Sequence, residues 1–136
     1  KRAQERHQQA AAAPAPQQDI DWLRWWVARD PDWVAKEIRN QVYDLVQDPQ
    51  GTRLFQEVLE KCNCSDGQRL AAEMKGYVLH LSTCPHANYA VQKAICQLPV
   101  AASEFIALEL RHHAVRTAKH QFGCRIIQRL QEFCQK

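Results

Sequence analysis

Three pairs of polar side chains lie four residues apart in the sequence, and the second member of each pair is glutamine. The pairs are Thr52 with Gln56, Asn88 with Gln92, and Cys124 with Gln128. Residues i and i+4 of an α-helix lie side by side on one face. Two amides in that arrangement, as at Asn88 and Gln92, offer donors and acceptors together, which can satisfy the acceptor–donor–acceptor edge of uracil. The pairs are therefore candidates for contacts with the edges of nucleic-acid bases.

A side chain that could stack on a base follows the first member of each pair. These side chains are Arg53, Tyr89 and Arg125. A planar guanidinium or an aromatic ring packs against the face of any base, whereas the neighbouring polar pair can discriminate between bases. One polar pair on a helix is ordinarily solvated surface, but three pairs with aligned stacking residues favour a base-binding surface.

The pairs belong to an internal repeat with an offset of 36 residues. The segments GTRLFQ at 51–56, ANYAVQ at 87–92 and GCRIIQ at 123–128 align without gaps. The helices before them align as well: Val34, Leu70 and Ile106 correspond, and so do Glu37, Glu73 and Glu109. Because a helical unit of this size cannot bury its apolar face alone, such repeats stack on one another around a continuous core.

Each unit is predicted to contain two helices joined by a short turn. The first helices are placed at 32–47, 67–82 and 102–118, and the second helices at 49–61, 85–97 and 121–135. Pro49 and Pro85 suit the first turn of a helix. The predicted unit boundaries are 32–65, 66–100 and 101–136, so that each second helix carries one polar pair.

Two segments precede the repeats. Residues 19–31 form a predicted helix with a face rich in tryptophan (Trp22, Trp25 and Trp26), which would cover the front of the stack because a solenoid needs capped ends. Residues 1–18 are rich in Gln, Ala and Pro and repeat no apolar face, so we expect a disordered lead. A remnant of a mitochondrial or plastid presequence is the alternative for this segment.

The composition is that of a folded domain without a membrane segment. No apolar stretch approaches the roughly 18 residues of a membrane-spanning helix. Since no secretory signal is recognisable, the six cysteines are expected to be free thiols. The net charge of +3 is small, but residues 1–48 hold seven Lys/Arg against eight Asp/Glu while residues 49–136 hold eleven against seven. The positive charge therefore lies with the repeats.

The second helices resemble those of the Pumilio (PUF) family of RNA-binding proteins. The resemblance covers residues 32–136 and is carried by Thr52-Arg53-x-x-Gln56, Asn88-Tyr89-x-x-Gln92 and Cys124-Arg125-x-x-Gln128, each preceded by a small residue. It implies an all-α, right-handed solenoid of three Pumilio-like repeats behind an N-terminal capping helix at 19–31. It also implies that the first and fifth positions of each motif contact a base edge while the second position stacks on a base.

The resemblance further implies sequence-specific binding of single-stranded RNA, with one base per repeat. Carrying over the family code, the pair in the second repeat prefers uracil and the pair in the third prefers adenine. The first pair also indicates adenine, although Thr52 departs from the family's usual serine or cysteine. Since family members bind RNA antiparallel to the chain, the expected core is 5′-AUA-3′. The motif order resembles the first three repeats of an eight-repeat member, so we expect five further repeats.

For the protein as a whole, the resemblance implies post-transcriptional regulation of mRNA by a monomeric, cytoplasmic protein, with the nucleus or nucleolus as the alternative location. Enzymatic activity, a cofactor, a bound metal and a membrane are not expected, and protein partners are compatible with this role. A second hypothesis keeps the fold but drops the base code. The repeats would then be a scaffold for protein interaction or for ribosome and rRNA assembly, and the unusual Thr52 favours this hypothesis.

Two further interpretations concern thiol and imidazole side chains. A zinc site could be built from Cys62, Cys64, Cys84 and His86. The single residue between the first two cysteines is fewer than the usual two to four. His120 and Cys124 are four residues apart, as a general base and a nucleophile could be, but the repeat already explains Cys124 as the counterpart of Asn88.

Overall fold

The computed structural model describes residues 19–134, and every regular element in that range is an α-helix. The helices are α1 (Asp19–Val27), α2 (Pro31–Glu37), α3 (Val42–Leu45), α4 (Pro49–Lys61), α5 (Cys64–Ala72), α6 (Val78–Ser82), α7 (Ala87–Gln97), α8 (Val100–Leu110), α9 (Ala114–Lys119) and α10 (Gly123–Cys134). The predicted lead at 1–18 and the end of the third unit at 135–136 lie outside the described residues. Within 19–134, no helix is long and apolar enough to cross a membrane.

Each unit contains more helices than we predicted, because the predicted first helix is interrupted in every unit. The interruptions lie between α2 and α3, between α5 and α6, and between α8 and α9. The chain turns at Asn40 and Gly76, whose φ angles of 67° and 88° are in the left-handed region that Gly and Asn tolerate best. The prediction of one continuous helix was wrong because buried apolar residues spaced by four, Val34, Ile38 and Val42, continue across the break.

A glutamate from the following unit closes two of these interruptions. Each carboxylate accepts two backbone N–H groups: Glu73 those of Asn40 and Val42 (2.7 and 3.1 Å), and Glu109 those of Gly76 and Val78 (2.7 and 3.2 Å). We call these contacts the glutamate clamps. The first N–H groups of a helix have no partner inside it, so each clamp satisfies them and joins one unit to the next through charge-assisted hydrogen bonds.

The short helix of a unit packs directly on the start of the helix that follows. Asp48 caps α4, because its carboxylate accepts the backbone N–H groups of Gln50 at 2.9 Å and Gly51 at 2.8 Å. A Cβ added at Gly51 would clash with the carbonyl group of Leu45 in α3. Only glycine permits this close approach, which fixes the first turn of α4, where the first polar pair begins.

The helices that carry the polar pairs stack side by side, α4 on α7 and α7 on α10. Their inward faces form a buried core that includes Leu54, Phe55, Val58, Ala90, Val91, Ala94 and Ile126. Helix α1 packs on α4, and Arg24 of α1 forms an ion pair with Glu57 of α4 at 2.7 Å. The predicted solenoid with an N-terminal capping helix is confirmed.

Tryptophans form the apolar contact between the cap and the first unit. Trp22, Trp26 and Trp33 pack against one another with ring centroids 6.4, 5.9 and 6.1 Å apart, within the range of favourable aromatic pairs. Trp25 instead lies half exposed, and the guanidinium of Arg29 is 3.7 Å from its ring centroid. The cap therefore buries its tryptophans on one side only.

Replacement of Glu73 by glutamine is expected to lower the free energy of unfolding by about 1.5–3 kcal/mol, because two hydrogen bonds to a charged acceptor are lost or weakened. Urea denaturation followed by circular dichroism measures this change. Glu37→Gln is the matched control, since Glu37 occupies the aligned position, is exposed, and its carboxylate accepts no hydrogen bond within residues 19–134. An equal loss in both variants would contradict the clamp.

Candidate nucleic-acid interface

The predicted contact residues all lie in the first two turns of α4, α7 and α10. They are Thr52, Arg53 and Gln56 in α4, Asn88, Tyr89 and Gln92 in α7, and Cys124, Arg125 and Gln128 in α10. Because the three helices stack side by side, these residues form one surface, which we call the reading face. Its stacking side chains are exposed, its glutamines are half-buried or exposed, and the first members of its pairs are buried or half-buried.

The pair in α7 is joined by a hydrogen bond. Asn88 is 0% exposed, and its amide nitrogen donates to the carbonyl oxygens of Cys84 at 2.8 Å and Pro85 at 2.9 Å. Its Oδ1 accepts a hydrogen bond from Gln92 Nε2 at 3.0 Å. Asn88 therefore orients the Gln92 amide, whose Oε1 has no hydrogen bond within residues 19–134.

Direct contact between Asn88 and a base stays a prediction. All of the polar atoms in the Asn88 side chain already have protein partners, so Oδ1 would have to exchange the Gln92 amide for a base. Such an exchange replaces one hydrogen bond by another, and its net free energy is therefore small compared with the cost of a lost bond. Gln92 is more accessible to a base than Asn88, because Gln92 is half-buried whereas Asn88 is buried.

The pair in α4 has the same form with a hydroxyl in place of the first amide. Thr52 is 4% exposed, and its Oγ1 donates to the carbonyl oxygen of His86 at 3.1 Å. Gln56 Nε2 lies 3.5 Å from the same hydroxyl oxygen, at the limit of a hydrogen bond. Because His86 precedes α7, Thr52 joins the first unit to the second as well as contacting its own glutamine.

The pair in α10 is the most open of the three. Cys124 is half-buried, and its thiol donates to the carbonyl oxygen of Gln121 at 3.4 Å. Gln128 is exposed, and no hydrogen bond joins it to another described residue. The three glutamines thus share one position on their helices but differ in what lies beneath them: an amide, a hydroxyl or a thiol.

A cavity of about 390 Å³ separates the stacking residues of the first two units. It is lined by Pro49, Thr52, Arg53, Gln56, His86 and Tyr89, and this volume is within the range of small-ligand sites. Between the second and third units, the two stacking side chains contact each other. Arg125 Nη1 donates to the Tyr89 hydroxyl at 2.8 Å, and the guanidinium carbon lies 5.7 Å from the tyrosine ring centroid.

The sequence suggested His86 only as a zinc ligand and did not predict it at the nucleic-acid interface. It is exposed, lines the cavity between the first two units, and its carbonyl group accepts the hydrogen bond from Thr52. The available signal was its position, since it immediately precedes the small residue Ala87 that opens the second motif. Its counterparts, Gln50 and Phe122, share no chemistry with histidine, so the repeat alone gave no reason to select it.

The thiols near the end of α4 lack the properties of zinc ligands. Burial, together with nearby Asp32 and Asp66, raises the pKa of Cys62 to about 11, and this disfavours the thiolate that zinc requires. In the described part of the chain, no group of three or more His, Cys, Asp or Glu side chains could hold a metal ion.

His120 acts as a helix cap in the structure. Its Nδ1 accepts the backbone N–H groups of Phe122 at 3.0 Å and Gly123 at 3.2 Å, as the carboxylate of the aligned Asp48 accepts those of Gln50 and Gly51 two repeats earlier. The Cys124 thiol donates elsewhere, to Gln121. Each side chain thus has a local structural partner, and the two are not arranged as a base and its nucleophile.

Comparisons with known proteins match the same helices. A family model described as the Pumilio-family RNA binding repeat matches residues 41–74, 77–110 and 113–135, and each match begins at a short helix, one helix later than our predicted units. The chain is 31% identical over 105 residues to Pumilio homolog 1 of Xenopus laevis, covering 77% of this chain and 9% of that protein.

Solved structures are similar in fold. The Puf3 RNA binding domain bound to Cox17 RNA 3′ UTR recognition sequence site A superposes with a TM-score of 0.76 at 26% identity, covering 84% of this chain and 34% of that chain. The Puf4 RNA binding domain bound to HO endonuclease RNA 3′ UTR recognition sequence gives a TM-score of 0.75 at 18% identity, over 84% and 37% of the two chains. The chain therefore spans about a third of these domains. Since the family model matches well over half of the chain, and does so on the helices that carry the reading face, the chain belongs to the Pumilio family of RNA-binding repeat proteins.

Proposed function

We propose that this chain is a binding module, not an enzyme, that holds single-stranded RNA along the reading face with one base per repeat. The observation that carries the proposal is the recurrence of a glutamine beside an exposed planar side chain on three stacked helices. The similarity to the Puf3 domain, which was solved bound to a recognition sequence in RNA, supports it.

The planar side chains would define the base positions. A base in the cavity between Arg53 and Tyr89 can stack on a guanidinium on one face and an aromatic ring on the other. Its edge then meets Gln56, which lines the same cavity. A base between Tyr89 and Arg125 requires the Arg125 side chain to leave the tyrosine hydroxyl, after which the guanidinium can stack on that base.

The glutamines would select the base. In α7 the hydrogen bond to Asn88 leaves an acceptor and a donor of Gln92 for the alternating edge of uracil. By the family code, Gln128 with Cys124 selects adenine, and so does Gln56 with Thr52. With RNA antiparallel to the chain, the proposed core is 5′-AUA-3′.

The affinity of three repeats alone is expected to be low. Stacking contributes about 1–3 kcal/mol per base, and three bases give roughly 3–9 kcal/mol before association and ordering costs of several kcal/mol. The expected dissociation constant is therefore roughly micromolar to millimolar. We propose that the chain acts on mRNA, because the similar Puf3 domain is bound to a 3′ UTR recognition sequence. We also propose that it acts in the cytoplasm and as a monomer.

A scaffold for protein interaction or ribosome assembly is the second candidate function. It is favoured by the burial of Thr52 and Asn88, whose polar atoms already have partners within the protein. Under this alternative, substitutions on the reading face leave RNA binding unchanged, whereas under the proposed function they alter it. The two predictions below separate these outcomes.

An RNA that contains AUA is expected to bind more tightly than the same RNA with the central U changed to C, by about 1 kcal/mol or roughly fivefold. The difference should disappear in Gln92→Ala, because the group that contacts the base edge is removed. Fluorescence anisotropy at fixed salt measures both, since phosphate contacts depend on salt. Gln97→Ala is the matched control, an exposed glutamine at the other end of α7. Equal binding to both RNAs would favour the scaffold.

Tyr89→Ala is expected to weaken binding to every RNA, whatever base is central, because stacking does not depend on base identity. The loss of about 1–3 kcal/mol corresponds to roughly fivefold to more than a hundredfold in dissociation constant. Tyr89→Phe keeps the ring and removes only the hydroxyl that accepts from Arg125, so it should bind almost as well as the parent chain. A loss of binding in Tyr89→Phe equal to that in Tyr89→Ala would argue against stacking.

A further inference from the structure

The third unit carries a run of positive charge that the other units lack. Residues 110–131 contain five Lys/Arg and three His and no Asp or Glu. Arg111, Arg116 and Lys119 lie on α9 and the turn before it, and all are exposed. We call these three residues the basic edge.

Two of the three charges of the basic edge are not a requirement of the fold, since only Arg111 has basic counterparts in both other units, Arg39 and Lys75. The residues aligned with Arg116 are Asp44 in α3 and His80 in α6, and those aligned with Lys119 are Gln47 and Thr83. The first two units form the same short helix without these charges. A charged cluster that the repeat does not need for folding is a candidate for a separate function of the third unit.

No ion pair within residues 19–134 neutralises the charge of the basic edge. The ion pairs of the described residues are Arg24–Glu57, Lys36–Asp66, Lys93–Glu60 and Arg129–Glu132. Within that part of the chain, no acidic side chain pairs with the basic edge. Arg111 Nε instead donates to Nε2 of His112 at 3.2 Å, a contact that brings no carboxylate to the guanidinium.

The basic edge lies beside the third base position. Thr117 of α9 is buried, and a Cβ added at Gly123 would come within 2.6 Å of the Thr117 carbonyl oxygen. Helix α9 therefore packs against the first turn of α10, and the next two residues of that turn are Cys124 and Arg125 of the reading face. The exposed side of α9 borders the point where RNA would enter or leave the third position.

We propose that the basic edge binds the phosphodiester backbone of the RNA on the 5′ side of the base held by the third repeat. This inference rests on the proposed function, which places RNA on the reading face with its 5′ end toward α10. Contacts to phosphate carry no sequence information but supply affinity and position the strand. The basic edge would thus strengthen binding without changing which bases are preferred.

The test compares Arg116→Ala/Lys119→Ala with the parent chain on AUA-containing and ACA-containing RNAs that extend several nucleotides on the 5′ side. The double variant should bind both RNAs several-fold more weakly at low salt, and the preference for U over C should be unchanged. The slope of log K against log salt should fall by about 1.4, since each lost phosphate contact to a single strand contributes about 0.7. Because the residues are exposed, circular dichroism should show unchanged unfolding.

Two control variants sharpen the result. Arg39→Ala/Lys61→Ala removes the same formal charge at exposed positions away from α9 and should leave the salt slope nearly unchanged. Asp44→Arg/Gln47→Lys builds the same charges at the aligned positions of α3 and should steepen the slope, because α3 packs on α4 as α9 packs on α10. Equal slopes for the two alanine variants would overturn the assignment of the basic edge.

The outcomes also separate this inference from the proposed function. If Gln92→Ala removes the preference for U while the basic-edge variant keeps the salt slope of the parent chain, the proposed function is supported. The same result overturns the proposal that the basic edge binds phosphate. If the parent chain binds neither RNA, both the proposed function and the role of the basic edge are overturned. A basic-edge variant that loses binding to vesicles of phosphatidylserine and phosphatidylcholine, but keeps its RNA binding, would assign the charge to a lipid surface and overturn the inference.

Discussion

Hydrogen bonds from backbone N–H groups to a glutamate at the far end of the same matched repeat hold the helices of that repeat in register. Burial of apolar side chains makes helices stack, but it is not directional and would tolerate small shifts of one unit along another. The carboxylates of Glu73 and Glu109 each accept two N–H groups at the start of α3 or α6, which fixes both distance and orientation. The short helix α3, held in this way, packs on the first turn of α4, where the first polar pair begins.

The reading face combines stability with recognition in the same side chains. Thr52 and Asn88 are buried and satisfied by carbonyl groups of the protein, so the free chain has no unpaired polar group at these positions, as buried groups require. The glutamines above them are the exposed part of each pair. A change in the first member of a pair is therefore expected to alter the orientation of its glutamine, even where that member is shielded from solvent.

Much of the architecture could be predicted from the sequence, because a gapless offset of 36 residues with aligned apolar positions permits few folds. The breaks in the predicted first helix of each unit could not be predicted, because Val34, Ile38 and Val42 keep the helical spacing across the first of them. The alignment of Glu37, Glu73 and Glu109 was visible, but only Glu73 and Glu109 accept backbone N–H groups, and these groups lie more than 30 residues earlier in the chain. The burial of Asn88 likewise depends on the carbonyl groups of Cys84 and Pro85, which no spacing rule reveals.

The central claim is that the polar pair of each repeat determines which base that repeat holds, and Asn88→Cys tests it most directly. The substitution gives the second repeat the pair of the third, a cysteine four residues before a glutamine. The measurement is the ratio of dissociation constants for RNAs containing AUA and AAA, taken at one salt concentration for the parent chain and the variant. The account predicts that the parent prefers AUA and that the variant prefers AAA, each by about fivefold or more, equivalent to about 1 kcal/mol. An unchanged ratio in a folded variant would contradict it.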